Sequence, residues 1–154
     1  MVLGRVQRGN PGPWGRRRAC SRAPRHDSGM GTLAEDRDEI RDLVARYCLY
    51  IDTGMAAEWA ELWTDDGEFD LGGGTVVSGR EALRAHAGHM PPGTVHHLAT
   101  NLVIDVDGDT ATCEESTILT AKGAIAMVAR VHDQLKRVDG AWKLHRKSFD
   151  VDPT

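Results

Sequence analysis

The C-terminal part of the chain is a run of long strand-forming stretches separated by very short turns. The pattern predicts strands at about Thr94–Val106, Thr110–Ala121, Gly123–Val138 and Ala141–Phe149. Asp107-Gly108 and Asp139-Gly140 are turn dipeptides, and a third turn falls near Lys122. Long strands joined by such short turns pair with their neighbours as an antiparallel meander, and long sheets twist. A curved antiparallel sheet therefore dominates the predicted fold.

The segment before these strands contains helical patterns. Thr32 and Glu35 have the spacing of a capping box. The apolar residues that follow at helical spacing are Ile40, Leu43, Val44, Tyr47, Cys48 and Ile51. The first predicted helix therefore ends near Ile51, a shorter one covers Met55 to Trp63, and a third covers Arg80–His89.

Two short strands, Glu68–Leu71 and Thr75–Val77, complete the predicted order ααββαββββ. This order predicts an α+β fold in which three helices lie on the concave side of a curved, mostly antiparallel sheet. Such an arrangement forms a cone-shaped roll whose open end can hold a small molecule. The apolar spacing also predicts that Trp59, Trp63 and Trp142 are buried.

Charge is distributed unevenly along the chain of 154 residues. Residues 1–29 contain seven Arg, one Asp, five Gly and three Pro, whereas the remainder is acidic. We expect residues 1–29 to be a disordered basic tail, interpreted as an over-long translation start, and residues 30–154 to be the folded domain. The acidic domain offers no footprint for nucleic acid, although a short nucleic-acid-touching arm is the alternative for the tail.

The remaining composition excludes several other classes. No apolar run approaches the roughly 20 residues that cross a bilayer, so we expect no membrane partner. Cys20, Cys48 and Cys113 have no metal-binding spacing, which is typical of reduced thiols in a cytoplasmic protein. His86 and His89 are three residues apart, as in some zinc sites, but no further ligand accompanies them and a solvated helix face is the favoured interpretation.

Two titratable residues occupy positions that should face the interior. Asp52 follows Cys48 by four residues, so on a continuing helix its carboxylate shares the core-facing side and needs a partner, unless it turns to solvent. His97 shares a strand face with Ala99 and Asn101, whose small or polar side chains leave room for a ligand, whereas the His96 face is bulky and apolar. From these residues alone, a core histidine with one hydrogen bond explains His97 as well as catalysis does.

Several segments resemble the SnoaL-like family of the nuclear transport factor 2-like superfamily. They are Asp-Leu-Val-Ala-Arg-Tyr-Cys-Leu-Tyr-Ile-Asp (42–52), Leu-Trp-Thr-Asp-Asp-Gly (62–67), Gly-Arg-Glu-Ala-Leu (79–83), His-His-Leu-Ala-Thr-Asn (96–101), Val-Asp-Gly-Asp-Thr-Ala (106–111) and Asp-Gly-Ala-Trp-Lys-Leu (139–144). In scytalone dehydratase and hexachlorocyclohexane dehydrochlorinase of this group, an Asp at the end of the first helix orients a strand His that removes a proton. Asp52 and His97 match those two positions, which implies a lyase or isomerase without metal or cofactor.

The resemblance also implies softer assignments. The residues it suggests for substrate binding are Tyr50, Trp63, Asn101, Lys147 and Phe149, with Arg146 as the alternative cation on the last strand. The family includes cyclases, dehydratases, dehydrochlorinases and isomerases, and relatives form homodimers or homotrimers. The alternatives are a non-catalytic binding or assembly domain, similar to the small subunit of ring-hydroxylating dioxygenases, and an epoxide hydrolase using an Asp-Arg-Asp set.

Deletion of residues 1–29 tests the predicted domain boundary. Because their composition supplies no core contacts, we expect the melting temperature of the shortened protein to match that of the full chain. Differential scanning calorimetry measures this directly. A loss of several degrees would contradict the prediction by showing that the tail docks on the domain.

Overall fold

The structure of the protein is a computed structural model that describes residues 31–151. Its elements are α1 (Leu33–Thr53), α2 (Ala56–Ala60), β1 (Trp63–Asp70), β2 (Val76–Ser78), α3 (Arg80–Gly88), β3 (Val95–Asp107), β4 (Thr110–Ala121), β5 (Ala124–Val138) and β6 (Ala141–Val151). The predicted order of helices and strands is confirmed. The predicted basic tail, residues 1–29, lies outside the described residues. Within the described part of the chain, no helix has the length and apolarity needed to cross a membrane.

All six strands form one sheet in the order β2-β1-β6-β5-β4-β3. β1 and β6 are parallel and every other pair is antiparallel, so the sheet is mostly antiparallel as predicted. Register shifts interrupt β3–β4 between Thr100 and Val103, and β5–β6 between Gln134 and Leu135. Bulges of this kind bend a strand and increase its twist, which curves the sheet around the helices.

Helix α1 is set at both ends by local sequence. The predicted capping box is present, since the Thr32 hydroxyl accepts from the Glu35 backbone N–H and the Glu35 carboxylate accepts from the Thr32 backbone N–H. The helix ends at Gly54 in the left-handed conformation, with φ of 74°. A Cβ on Gly54 would lie 2.5 Å from Cγ of Pro92, so only glycine permits this close approach.

The second helix is shorter than the sequence pattern predicts. It ends at Ala60, and Trp63 begins β1, where it lies opposite Leu144 in the parallel ladder with β6. The Leu144 backbone N–H donates to the Leu62 carbonyl at 2.9 Å, so pairing with a distant strand replaces further helix at this point. Burial of Trp59, Trp63 and Trp142 is confirmed.

A buried ion pair joins the start of α1 to the hairpin formed by β5 and β6. Nη2 of Arg137 lies 2.5 Å from Oδ1 of Asp36, and Nε1 of Trp142 donates to the same oxygen at 3.3 Å. The Arg137 guanidinium also lies 4.3 Å from the centroid of the Trp142 ring. Three elements, α1, β5 and β6, are therefore joined by one carboxylate.

Asp36→Ala should lower the free energy of unfolding by about 3 kcal/mol, because it removes the buried partner of the Arg137 guanidinium and leaves only Asp109, a 73% exposed carboxylate 3.2 Å from Nε. Asp38 is the matched control, since its side chain is 78% exposed in its pair with Arg41 and Asp38→Ala should change stability by less than about 0.5 kcal/mol. Urea denaturation of the two variants provides the comparison. Equal effects would show that the buried pair does not anchor the helix.

Candidate functional site

Asp52, near the end of α1, contacts His97, near the start of β3. Oδ1 of Asp52 lies 2.5 Å from Nδ1 of His97, and Oδ2 accepts from the His97 backbone N–H at 2.9 Å, although the two residues are 45 positions apart. The proximity that the family resemblance implies for these two residues is confirmed. Both side chains are largely enclosed, with 12% of Asp52 and 15% of His97 exposed.

The approach to β3 fixes this geometry. The Gly93 backbone N–H donates to the Asp52 carbonyl at 2.8 Å, and Pro92 packs against Gly54 at the end of α1. The chain that enters β3 is therefore attached to the helix end just before His97. One carboxylate then contacts both the backbone and the ring of a single residue, which holds the imidazole in one orientation.

The contact also sets the tautomer of His97. An ionised carboxylate accepts hydrogen bonds but cannot donate them, so Nδ1 of the neutral ring carries the proton that faces Asp52. Nε2 is then the nitrogen with a free lone pair. This is the arrangement of a histidine that accepts a proton through Nε2 while an aspartate stabilises the resulting imidazolium.

His97 lines a cavity of about 50 Å³ between α1 and the sheet. The polar or titratable lining residues are Tyr47, Cys48, His97, Glu115, Thr117 and Lys147, and the apolar ones are Phe69, Met127, Ala129, Val131 and Phe149. A cavity needs about 10–15 Å³ of solvent-accessible space to hold one water. This cavity therefore has room for roughly four waters, which is comparable to one small ring. Apolar walls with a few polar groups are typical of small-molecule sites.

A buried ion cluster lies beside the cavity. Nζ of Lys147 donates to Oε1 of Glu115 at 2.9 Å and to both carboxylate oxygens of Asp133 at 3.0 and 3.1 Å. The exposed fractions of the three side chains are 5%, 1% and 0% respectively. Nζ also lies 4.6 Å from the centroid of the Tyr47 ring.

Electrostatics in this cluster keep Lys147 charged. Burial acts to lower the pKa of Lys147, but the charges of Asp133 and Glu115 outweigh it and the pKa is raised. Burial raises the pKa of Asp133 to about 6, against the opposing charge of Lys147. Burial likewise raises the pKa of the Tyr47 hydroxyl. The cavity wall therefore holds an ammonium whose charge is matched by carboxylates of this chain.

Two predicted substrate-binding residues, Lys147 and Phe149, line the cavity. The structure also distinguishes between Lys147 and Arg146, the two candidate cations on the last strand. Arg146 points to the other face of β6, where its guanidinium pairs with Glu68 at 2.5 Å and Asp70 at 2.8 Å. Lys147 enters the cavity wall with its donors already engaged, so its predicted role with an anion stays a prediction.

Three other predicted lining residues lie elsewhere, and each has a structural reason. Trp63 is fully buried in the aromatic core, 5.2 Å from Trp59 between ring centroids. Tyr50 is half-buried against the hydrophobic core, while Tyr47, about one turn earlier on α1, takes the cavity position.

Asn101 is exposed because the strand face changes at the bulge. Up to Ala99 the odd-numbered residues of β3 point inward, but Asn101 adopts a φ of 57° and the register with β4 shifts there. Beyond this point Leu102 and Ile104 point inward instead. The prediction that Asn101 shares the His97 face was therefore wrong.

Sequence reasoning missed Glu115 and Asp133, although a signal for both was present. On β4 the buried positions alternate as Ala111, Cys113, Glu115 and Thr117, and on β5 as Ala129, Val131, Asp133 and Leu135. Because side chains of a strand alternate between its two faces, each carboxylate lies on the same face as the neighbouring apolar residues. A charged residue at such a position requires a buried partner, which points to Lys147.

Among the described residues, one group of potential metal ligands lies close together. Ligand atoms of Cys113, Glu115 and Asp133 lie within 4.8 Å of one another, but the ammonium of Lys147 already contacts both carboxylates as their cation. His86 departs from the expected solvated face, because its ring packs 5.5 Å from that of Phe69, and burial lowers its pKa.

Comparisons with known proteins agree on the fold. The family model described as a SnoaL-like domain matches residues 32–148. Similar solved structures include an Asp-to-Asn variant of a protein of unknown function from Mycobacterium tuberculosis, with 33% identity, coverage of 79% of each chain and a TM-score of 0.73. An NTF2-like protein with a cystatin-like fold from Novosphingobium aromaticivorans has 30% identity, coverage of 77% of this chain and 83% of that one, and a TM-score of 0.72.

A structure from Catenulispora acidiphila in complex with S-DNPA is also similar. It has 25% identity, covers 77% of this chain and 95% of that one, and has a TM-score of 0.65. Among curated protein sequences, none matches this chain.

Cys48 offers a test of the enclosure of the cavity. Burial raises the pKa of its thiol to about 11, and only the thiolate is nucleophilic. At pH 8 we expect iodoacetamide to modify Cys48 of the folded protein on the order of a hundredfold more slowly than an ordinary thiol. Peptide mass spectrometry measures the rate, with urea-unfolded protein as the reference. Modification of Cys48 at the same rate in both states would contradict the enclosed site.

Proposed function

This chain belongs to the SnoaL-like domain family, and on that premise we propose that it is a cofactor-independent lyase or isomerase acting on a hydrophobic small molecule. In this proposal His97 is the general base and Asp52 is the residue that positions it. The observation that carries the proposal is the 2.5 Å contact between Asp52 and Nδ1 of His97 at the edge of a partly enclosed cavity.

The proposed reaction begins with transfer of a proton from carbon to Nε2 of His97. The carbon lies next to a carbonyl, which accepts the electron pair released from the C–H bond as an enolate, or next to a carbon that bears a leaving group. In a lyase the pair forms a C=C bond and the leaving group departs with its own bonding pair. In an isomerase the imidazolium returns the proton at another carbon. Asp52 stabilises the imidazolium in both cases.

The surroundings of the pair support catalysis over a purely structural role. A buried histidine needs only one hydrogen-bond partner, yet here Asp52 leaves Nε2 free and the ring lines a cavity with apolar walls. The similar protein from Catenulispora acidiphila, whose structure holds S-DNPA, supports a small-molecule ligand for this fold. Among the described lining residues there is no arginine, which disfavours the Asp-Arg-Asp chemistry of an epoxide hydrolase.

Proton abstraction can be tested without the natural substrate. We expect the wild-type protein to catalyse hydrogen–deuterium exchange α to the carbonyl in members of a panel of one-ring and two-ring cyclic ketones, followed by NMR in deuterated buffer. His97→Ala should reduce exchange to the buffer rate. Asp52→Asn should lower it by about 10²–10⁴-fold with little change in binding, because the tautomer and the imidazolium are no longer supported.

The neighbouring histidine provides the matched control. His96 is exposed on the opposite face of β3, so His96→Ala should leave exchange unchanged. Exchange that persists in His97→Ala, or a wild-type protein that exchanges none of the ketones, would contradict the base assignment and favour a non-catalytic binding domain.

A further inference from the structure

One carboxylate oxygen of Glu115, a residue that lines the cavity, lacks a partner among the described residues. Oε1 of Glu115 accepts from Nζ of Lys147 at 2.9 Å and from Oγ1 of Thr117 at 3.4 Å. Oε2 of the same group is buried and has no hydrogen-bond partner among the described residues. A buried carboxylate oxygen left unpaired is unfavourable, so this atom indicates a place for a donor that the chain itself does not supply.

The second carboxylate of the cluster does not share this property. Lys147 engages both oxygens of Asp133, at 3.0 and 3.1 Å, and only one oxygen of Glu115. An ammonium has three N–H donors, and these three contacts account for them. Asp133 therefore serves to balance the charge of Lys147, whereas Glu115 has an acceptor to spare and lines the cavity.

The balance of charge around the cavity restricts what can bind there. The ammonium of Lys147 faces two carboxylates, and Asp52 contributes a third acidic group beside His97. With His97 neutral as a base, carboxyl groups outnumber the cation by three to one. An anionic ligand would have to enter this enclosed, low-dielectric site against that excess, whereas a donor without negative charge would not.

We propose that Oε2 of Glu115 is a ligand subsite that accepts a hydrogen bond from a hydroxyl or amine group of the ligand, which carries no negative charge. The size and apolar walls of the cavity restrict the ligand to about one ring at this position. The inference rests on the proposed function, because that ring would present its C–H bond to His97 while its donor group contacts Glu115.

A matched set of one-ring probes tests the subsite in the wild-type protein. Phenol carries a neutral donor, benzylamine carries a cationic donor, anisole has no donor and benzoate is an anion. We expect phenol or benzylamine to bind at least tenfold more tightly than anisole and benzoate, as measured by ligand-observed NMR titration. Which of the two donors binds more tightly distinguishes a hydroxyl ligand from an amine. Equal binding of anisole, or tighter binding of benzoate, would overturn the proposal.

Glu115→Gln tests whether Glu115 is the acceptor. The amide keeps the side-chain shape but can turn an N–H toward the cavity, so the preference for donor probes over anisole should fall about tenfold. Glu114→Gln is the matched control, since Glu114 lies on the other face of β4 and its side chain is exposed. A preference that survives in Glu115→Gln overturns the proposal, and the probe series in the wild-type protein keeps it testable if that variant does not fold.

Binding measured in His97→Ala separates this inference from the proposed catalysis. The donor preference should be retained there, because Glu115 does not depend on the base. Retained preference without ketone exchange by the wild-type protein would support the subsite and contradict the catalytic role of His97. Ketone exchange that depends on His97, without any preference for donor probes, would support the catalytic role of His97 and contradict the subsite.

Discussion

The interior of this domain depends on an ammonium group that is buried beneath the sheet. Lys147 is on β6, near the middle of the sheet, and its charge must be neutralised where bulk solvent does not reach it. Glu115 of β4 and Asp133 of β5 do this, and the face of the Tyr47 ring of α1 covers the same group. Loss of one member of such a cluster leaves the others uncompensated, at a cost of about 3–5 kcal/mol. The cluster thereby fixes the register of three strands and the position of one helix around the cavity.

The two polar groups of the cavity have different requirements. Asp52 and His97 are held by local connections at the end of α1 and the start of β3, so their geometry depends on Gly54 and the turn at Gly93. The lysine cluster is held by register across β4, β5 and β6. The Asp52–His97 pair and the charge-balanced wall can therefore change independently. This separation suits a family in which one fold supports several reactions.

Charge balance also bears on the predicted role of Lys147 with an anion. A lysine exposed to a cavity would attract carboxylates or phosphates, but this one is surrounded by acceptors of its own chain. The free acceptor at Glu115 remains, and it is the basis of the proposed preference for a ligand that donates a hydrogen bond. That preference depends on Glu115 and Asp133, neither of which belongs to the resemblance segments.

Much of this molecule follows from local sequence. The capping box at Thr32, the turn dipeptides and the alternation of apolar residues determine the order of helices and strands, and the resemblance segments identify Asp52 and His97 as a pair. Local patterns succeed here because helix periodicity and tight turns are decided by neighbouring residues. Only the tertiary structure shows that β3 changes face at Asn101, that Trp63 begins a strand, and that Lys147 rather than Arg146 faces inward. Those three outcomes depend on how strands pair in the sheet, where one bulge moves every following side chain to the opposite face.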